Sequence, residues 1–199
     1  MTAPPSLKSV WRFLALALLL GALAACNRPA QFKSTDVTGA TFARDFALTD
    51  HHGKARSLVD FRGKVVVLFF GFTHCPDVCP TTLAEFAQMM KLLGNDAEQV
   101  QVLFVTVDPE RDTEALLAQY VPSFHPDFLG VRGDAEATAK TAAEFKILYE
   151  KRPSEKNYTM DHSAGTYIYD QAGRLRLFAS YGLGAEALAS DVRDLLNDG

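Results

Sequence analysis

An unbroken run of apolar strand-forming residues, Val65-Val66-Val67-Leu68-Phe69-Phe70, constrains the fold of this chain more than any other feature. Such a run is typical of a central β-strand covered on both faces, because neither alternating face carries a polar residue. It ends at Gly71, two cysteines follow at Cys75 and Cys79, and apolar positions then recur at helical spacing over residues 80–93. The sequence therefore predicts a buried strand that leads through a cysteine-bearing loop into a helix.

Strand-like and helical segments alternate along the rest of the chain. The strand-like segments are 46–49, 56–59, 65–70, 100–107, 128–131, 166–169 and 174–178. The helical segments are 80–93, 114–120 with Thr113 as N-cap, 134–146 with Asp134 as N-cap, and 185–196. The turns Asp50-His51-His52-Gly53 and Asp170-Gln171-Ala172-Gly173 each join two strands into a hairpin. This order predicts an α/β protein whose thioredoxin-like mixed sheet is flanked by helices and carries an N-terminal β-hairpin.

The composition excludes two classes of protein. Hydrophobic residues make up 48% of the 199 residues, which suits one globular domain and not a disordered chain. The formal net charge is -4, and Lys and Arg form no cluster along the chain. The basic surface expected of a nucleic-acid-binding protein is therefore missing, and we expect no nucleic-acid partner.

The first residues have the pattern of an export signal. Lys8 and Arg12 form a short basic region, and the apolar stretch Phe13–Leu23 follows it. The tetrad Leu23-Ala24-Ala25-Cys26 resembles the lipobox of bacterial lipoproteins, in which cleavage leaves the cysteine as a lipid-bearing N-terminus. We therefore expect Cys26 to be lipidated, while an uncleaved anchor and a chance occurrence of the tetrad stay open as alternatives.

These features divide the chain into three parts. Residues 1–25 are predicted to be a lipoprotein signal peptide, 26–40 a tether, and 41–199 the folded domain. The domain is then expected to be soluble in the periplasm while a lipid holds it at the membrane. Thiols tend to oxidise in that compartment, so the redox state of Cys75 and Cys79 becomes a functional question.

The spacing of Cys75 and Cys79 is Cys-x3-Cys, and each cysteine precedes a proline. Proline is tolerated in the first turn of a helix, so the helix is expected to begin near Pro80 with Cys79 close to its N-cap. The helix dipole then favours the Cys79 thiolate. A structural disulfide gains little across so short a loop, and a thioredoxin-type exchanger uses Cys-x2-Cys. Two thiolates select Cu(I) or zinc, and one added imidazole suits both oxidation states of copper.

The imidazole has to come from one of five histidines. His162 precedes the strand at 166–169, in a loop that faces the cysteines in a thioredoxin-like sheet. On the residues alone it is either a ligand or a loop histidine bonded to nearby backbone. His74 adjoins Cys75, but neighbouring side chains diverge, so a supporting role is expected for it. His51 and His52 are expected to be solvated in their turn, and His125 to lie at the surface or cap a helix.

Three separated blocks of this sequence resemble the Sco (SenC/PrrC-like) family of copper proteins. The blocks are Gly71-Phe72-Thr73-His74-Cys75-Pro76-Asp77-Val78-Cys79-Pro80, Val107-Asp108-Pro109-Glu110-Arg111-Asp112-Thr113 and Asp161-His162-Ser163. The resemblance implies a thioredoxin-like domain that binds one copper, as Cu(I) or Cu(II), through Cys75, Cys79 and His162. It also implies a metallochaperone that assembles the CuA site of cytochrome c oxidase. Many relatives carry a membrane-spanning N-terminal helix where this chain has the lipobox-like tetrad.

The same resemblance leaves several roles open. Cys75 and Cys79 could instead form a redox-active disulfide that prepares the cysteines of the acceptor. Asp108 and Arg111 either position a loop or partner or form an ion pair at the start of a helix. Asp161 either orients His162 or points to water. The expected partners are the oxidase subunit that carries CuA, and another periplasmic copper chaperone or thiol reductant.

Two other classes of protein compete with this interpretation. A metal-independent thiol-disulfide oxidoreductase would use the same pair of cysteines. A thiol peroxidase on the same fold is disfavoured, because Pro76 stands where a threonine is expected three residues before the peroxidatic cysteine. Two measurements distinguish these classes. Uptake of Cu(I) by the reduced protein favours the copper protein, and reduction of a protein disulfide without metal favours the oxidoreductase.

Lipid attachment at Cys26 is directly testable. The Cys26→Ala variant should escape cleavage at that position and lack lipid, because the sulfur that accepts the diacylglycerol is gone. Metabolic labelling with radioactive fatty acid measures this, with Cys75→Ala as the matched control that keeps its label. Equal labelling of the Cys26→Ala variant and the unchanged chain would contradict the prediction.

Overall fold

A computed structural model describes residues 31–154 and 157–198 of the chain. Eight strands form one sheet in the order β1-β10-β9-β4-β5-β6-β2-β3, and β7 pairs with β8 in a separate hairpin. The strands are β1 Thr35–Asp36, β2 Leu48–Asp50, β3 Ala55–Arg56, β4 Val65–Gly71, β5 Val100–Thr106, β6 Leu129–Arg132, β7 Tyr149–Ser154, β8 Asn157–His162, β9 Thr166–Tyr169 and β10 Leu175–Ala179. The sheet is mixed and flanked by helices, so the predicted fold class is confirmed.

The centre of the sheet is the strand that the apolar run predicts. All seven residues of β4 are buried, and so are all seven of β5, its parallel neighbour. The β6 strand continues the parallel set, while β9 pairs with the other side of β4 in the antiparallel direction. Strands covered on both faces have no solvated side, which explains the absence of polar alternation in β4.

The described residues form four α-helices, α1 Val78–Leu93, α2 Glu114–Tyr120, α3 Ala135–Glu144 and α4 Ala185–Asn197. Helices α2 and α3 begin at their predicted N-caps, whose side chains accept a hydrogen bond from a backbone N–H of the first turn. Thr113 accepts from the Leu116 N–H at 3.2 Å, and Asp134 accepts from the Ala137 N–H at 2.8 Å. Within residues 31–154 and 157–198, none of the helices is both long enough and apolar enough to cross a membrane.

Two boundaries differ from those the sequence predicts. The N-terminal hairpin is present but short, because Ser57 and Asp60 form a capping box that begins a 3-10 helix at Leu58–Phe61. The predicted strand at 56–59 is therefore wrong beyond Arg56. Helix α1 begins at Val78, two residues before the predicted start, so Pro80 lies within its first turn, where proline is tolerated.

The hairpin of β7 and β8 is absent from the sequence-based prediction. Met160 is the one buried residue of the two strands, and the other eleven are exposed or half-buried, so no buried alternation marks the hairpin. His162 is the last residue of β8 and pairs with Tyr149. The expectation that His162 lies in a loop is therefore wrong, although the hairpin delivers it to the same place before β9.

One edge of the sheet collects the strand ends that matter for function. The parallel strands β4, β5 and β6 end at Gly71, Thr106 and Arg132, and we call this side of the sheet the carboxyl edge. The antiparallel strand β9 begins there at Thr166, which pairs with Phe69. In open α/β sheets, ligands bind outside the carboxyl ends of the parallel strands. The carboxyl edge is therefore where a site is expected.

The first described residues are attached to the last helix through a buried carboxylate. Asp191 of α4 is 0% exposed and accepts from the backbone N–H groups of Lys33, at 2.7 Å, and Ser34, at 2.8 Å. These bonds join residues more than 150 positions apart, and β1 pairs with β10, so residues 33–36 belong to the fold and the predicted domain start at residue 41 is too late. If the Asp191 carboxylate is removed, the Lys33 and Ser34 N–H groups lose their acceptor.

Replacement of Asp191 tests this contact. We expect Asp191→Ala to lower the free energy of unfolding by about 2 kcal/mol, because two charge-assisted hydrogen bonds are lost. Urea denaturation followed by circular dichroism measures the change. Asp194→Ala, one turn later on the same helix, leaves both bonds in place and serves as control. A midpoint equal to that of the control would show that the contact adds no stability.

Candidate metal centre

The carboxyl edge brings together the three residues that the sequence selects as metal ligands. Cys75 lies half-buried in the loop between β4 and α1, and Cys79 lies fully buried in the first turn of α1. His162 Nε2 is 4.0 Å from Cys79 Sγ, and the Cys79 N–H donates to Cys75 Sγ at 3.4 Å. The three side chains therefore form one cluster although 83 residues separate Cys79 from His162.

The spacing of this cluster suits a metal ion. With metal–sulfur and metal–nitrogen bonds of about 2.3 Å and about 2.0 Å, the two donor atoms of a trigonal site lie about 3.8 Å apart. The observed 4.0 Å between Cys79 Sγ and His162 Nε2 is close to that value. Among residues 31–154 and 157–198, however, no three metal-ligating side chains already stand at mutual binding distance. The three side chains therefore have to come closer together to bind one ion.

The hydrogen bond of His162 selects its tautomer. Nδ1 lies 2.9 Å from the Ser163 carbonyl oxygen, which can only accept, so the ring proton is assigned to Nδ1. Nε2 then carries the lone pair and points toward Cys79 Sγ. The Phe72 ring packs edge-on against the imidazole with 5.9 Å between centroids. Backbone and ring together orient His162 with Nε2 toward the buried sulfur as a nitrogen donor.

The two sulfurs share one proton. The pKa of Cys75 is lowered to about 5, and the largest cause is the hydrogen bond with the Cys79 thiol. The Asp77 and Cys79 backbone N–H groups and His162 lower it further. The hydrogen bond to Cys75 and complete burial raise the pKa of Cys79 well above its usual range. The expectation that the helix dipole makes Cys79 the thiolate is therefore wrong, since Cys79 is fully buried and Cys75 is not.

A buried carboxylate that the sequence did not select holds the loop before Cys75. Asp112 is 0% exposed, and it accepts from Thr73 Oγ1 and Thr106 Oγ1, each at 2.5 Å, and from the Thr73 N–H at 3.1 Å. Burial raises its pKa against these bonds. His74 stands beside this network, with Nδ1 3.1 Å from Thr73 Oγ1, and no contact joins it to the sulfurs. The expected supporting role of His74 stays a prediction.

Asp108 and Arg111 connect the end of β5 to the strand that carries His162. Asp108 is buried, pairs with Arg111 Nε and accepts from the Tyr158 hydroxyl at 2.8 Å. Arg111 donates to the Tyr158 carbonyl at 2.8 Å and stacks 3.6 Å above its ring. Tyr158 lies on β8, four residues before His162. The structure thus shows the ion pair before α2, and the same two side chains also bond to Tyr158 of the hairpin; positioning of a partner stays a prediction.

Two other sequence-based expectations change. Asp161 pairs with Arg152 at 3.2 Å on the exposed surface of the hairpin, and His162 takes the Ser163 carbonyl instead, so no contact shows Asp161 orienting His162. His51 is not solvated, because it is 7% exposed and its Nδ1 accepts from the Gly130 N–H at 3.0 Å. The turn packs against β6 because β2 pairs with that strand.

Asp112, Tyr158 and Ser163 are the neighbours that sequence reasoning missed. Asp112 belongs to the second of the three family-like blocks, which was the one signal available for it. Ser163 belongs to the third block, whereas Tyr158 acts through hydrogen bonds to Asp108 and Arg111, which are about 50 residues away in the chain and come close only on folding.

The shared proton makes the reactivity of Cys75 testable. Alkylation of Cys75 by iodoacetamide should follow its thiolate and reach half its plateau rate near pH 5, because Cys75 is deprotonated above its pKa. Cys79→Ala removes the donor thiol, so the midpoint should rise toward the usual thiol value of about 8.5. Peptide mass spectrometry across pH measures both, and Cys79→Ser keeps a donor hydroxyl as the matched control. An unchanged midpoint in Cys79→Ala would refute the shared proton.

Known proteins resemble this chain in sequence and in fold. Residues 34–197 match the SCO1/SenC family. Over 153 residues, the chain is 43% identical to "Protein SCO2 homolog, mitochondrial" of Bos taurus, a match that covers 75% of this chain and 58% of that protein. The chain therefore matches less than two thirds of the length of this relative.

Two solved structures of relatives contain copper. ScoI of Bradyrhizobium japonicum with copper bound is 39% identical, with a TM-score of 0.71 over 77% of this chain and 98% of that chain. ScoI of Arabidopsis thaliana with copper bound is 31% identical, with a TM-score of 0.75 over 80% of this chain and 100% of that chain. By its fold, its three spaced sequence blocks and these matches, the chain belongs to the SCO1/SenC family.

Proposed function

We propose that this chain is a membrane-anchored, extracytoplasmic copper carrier that delivers copper to, or prepares the cysteines of, the CuA site of cytochrome c oxidase. One observation carries the proposal: the lone pair of His162 Nε2 points at Cys79 Sγ from 4.0 Å, beside the Cys75 sulfur. Copper is the cargo in this proposal, one ion per chain.

The donor set supports copper as that cargo. Two sulfurs and one imidazole nitrogen are soft to intermediate ligands, which hold Cu(I) at low coordination and also accept Cu(II). The copper-bound ScoI structures of B. japonicum and A. thaliana support the same choice. Binding both sulfurs as thiolates releases the proton that Cys79 holds, so one proton leaves the site for each copper bound.

Release of copper follows from the position of Cys75. Its sulfur is half-buried, whereas Cys79 is fully buried, so an incoming thiolate reaches the metal from the side of Cys75. We infer an exchange in which the metal–Cys75 bond breaks as a bond to the acceptor sulfur forms. Cys79 recovers its proton as it leaves. The low pKa of Cys75 favours this order, because the departing sulfur is a stable thiolate.

The same sulfurs favour a second candidate, the reduction of the acceptor. The Cys75 thiolate can attack an acceptor disulfide, forming a mixed disulfide and releasing one acceptor thiolate. Cys79 then loses its proton and attacks Cys75 Sγ, which releases the second acceptor thiol and leaves a Cys75–Cys79 disulfide. Two electrons pass to the acceptor, and an external thiol reductant must restore the pair. An accessible thiolate beside a buried thiol is the observation that supports this candidate.

The mode of attachment is part of the proposal. Residues 1–25 act as the signal peptide, lipid on Cys26 holds the mature N-terminus at the membrane, and the residues between Cys26 and Lys33 tether the folded domain in the periplasm. Cys26 lies outside the described residues, so the order of basic, apolar and lipobox-like residues alone supports this part. The partners proposed are the oxidase subunit with the CuA site, and a second copper chaperone or thiol reductant in that compartment.

Replacing one ligand at a time tests the copper site. His162→Ala should retain substantial Cu(I) but lose the Cu(II)–thiolate charge-transfer band, because Cu(II) requires more donors than two sulfurs. Cys75→Ser and Cys79→Ser should each lose both ions. Anaerobic Cu(I) competition titrations and visible spectra measure these outcomes. His52→Ala, an exposed histidine in the β2–β3 turn, is the control. An unchanged Cu(II) spectrum in His162→Ala would remove His162 from the site.

Thiol counts without metal and copper transfer to a reduced acceptor distinguish the two candidate functions. Reduced, copper-free protein is mixed with the oxidised CuA-bearing domain, and the free thiols of that domain are counted. Appearance of two acceptor thiols per Cys75–Cys79 disulfide supports the reductase, whereas copper transfer to an already reduced acceptor supports the carrier.

A further inference from the structure

Three large hydrophobic side chains are the most exposed in the described part of the chain: Leu148 at 79%, Val59 at 55% and Tyr181 at 48%. Exposed apolar side chains scattered singly need no explanation. Their positions differ, because Leu148 lies beside the segment that carries His162 and Tyr181 follows a strand that ends at the same carboxyl edge. Val59 lies before the start of β4, at the opposite edge.

Leu148 is held beside His162 by its backbone. Its N–H donates to Ser163 Oγ at 3.1 Å, and its carbonyl accepts from the Ser163 N–H at 2.9 Å. The next residue, Tyr149, is the pairing partner of His162. The backbone is therefore bonded in place while the side chain is presented to solvent.

Tyr181 reaches the same edge from another strand. It lies two residues after Ala179, the end of β10, and Ala179 pairs with Thr166 at the start of β9. Thr166 in turn pairs with Phe69, two residues before the end of β4. Strand spacing of about 4.8 Å places the ends of β10 and β4 about 10 Å apart. We call Leu148 and Tyr181 together the apolar rim.

The charges beside the apolar rim neutralise one another. On the hairpin, Lys151 pairs with Glu110 at 2.5 Å, and Arg152 pairs with Glu150 at 2.9 Å and with Asp161 at 3.2 Å. The chain as a whole carries a net charge of -4. This end of an acidic protein therefore offers a partner paired charges and apolar side chains, with little electrostatic attraction for a strongly basic surface.

We propose that the apolar rim is the docking surface for the protein that accepts copper, and that this acceptor presents apolar, weakly charged residues around its own thiols. The inference rests on the proposed function, because ligand exchange brings an acceptor sulfur to bonding distance of the metal. A protein acceptor that approaches this closely covers the surface beside His162, where the rim stands. A bilayer offers no thiol for the exchange, so a protein is the occupant that the site chemistry favours.

Docking through the rim predicts a split between large and small acceptors. In the full-length chain loaded with Cu(I), Leu148→Ser combined with Tyr181→Ser should slow transfer to the reduced CuA-bearing oxidase subunit about tenfold, as truncation of interface anchors does. Transfer to glutathione should stay unchanged, since so small a thiol does not reach the rim. Stopped-flow spectroscopy measures both rates, with the subunit in detergent and in lipid vesicles. Val59→Ser, exposed at the opposite edge, is the matched control.

Each outcome has a defined meaning. Slower transfer to the subunit in detergent and in vesicles, with unchanged Cu(I) affinity and an unchanged glutathione rate, supports the docking surface. An unchanged rate to the subunit overturns it, and so does an equal loss toward glutathione. A loss in vesicles alone assigns the rim to the bilayer, and altered sedimentation of the free chain assigns it to a second copy; either result overturns the proposal. If the unchanged chain transfers copper to neither acceptor, the proposed function fails, and this inference fails with it.

Discussion

The burial of β4 on both faces is the constraint on which the candidate site depends. A strand with no solvated side has one position in the sheet, and its end at Gly71 places the cysteine loop at the carboxyl edge. Gly71 also makes room for the site, because a Cβ there would lie 2.7 Å from the Phe104 ring and 3.0 Å from Cys79 Sγ. The Cys79 sulfur therefore packs directly against the end of β4, and the sheet fixes the position of this ligand.

Two buried carboxylates extend that rigidity to the segments outside the sheet. Asp112 ties Thr73 of the cysteine loop to Thr106 of β5, and Asp108 with Arg111 ties the same strand to Tyr158 of the hairpin. A charged group is costly to bury unless hydrogen bonds satisfy it, so each carboxylate stabilises one arrangement of its neighbours. The cysteines and His162 come from different segments, and both segments are bonded to the loop that follows β5, through Asp112 and through Asp108 with Arg111.

The electrostatics of the sulfur pair divide the chemistry between two residues. Cys79 is buried and keeps the proton, while Cys75 is accessible and carries the charge. A carrier needs one ligand that an acceptor can displace and one that stays until the end, and a reductant needs an attacking thiolate and a thiol that resolves the mixed disulfide. The same asymmetry serves both, which explains why the cysteine motif alone does not separate the two candidate functions.

Local sequence patterns were enough to predict the features that depend on local chemistry. The apolar run predicted β4, Thr113 and Asp134 predicted the starts of two helices, and the Cys-x3-Cys spacing placed two sulfurs where β4 leads into α1. The same patterns predicted the hairpin of β9 and β10, because alternation and turn residues act between neighbours in the chain.

Only the tertiary structure decided the features that depend on distant residues. The polar hairpin of β7 and β8 carries no periodic signal, and its support comes from Asp108 and Arg111, which lie after β5 and bond to Tyr158. Which sulfur holds the proton depends on burial, and burial of Cys79 results from the strand and helix around it. Residue types and spacing thus determined which atoms were available to a metal. The folded chain decided their protonation and their distance, because both depend on contacts between residues far apart in sequence.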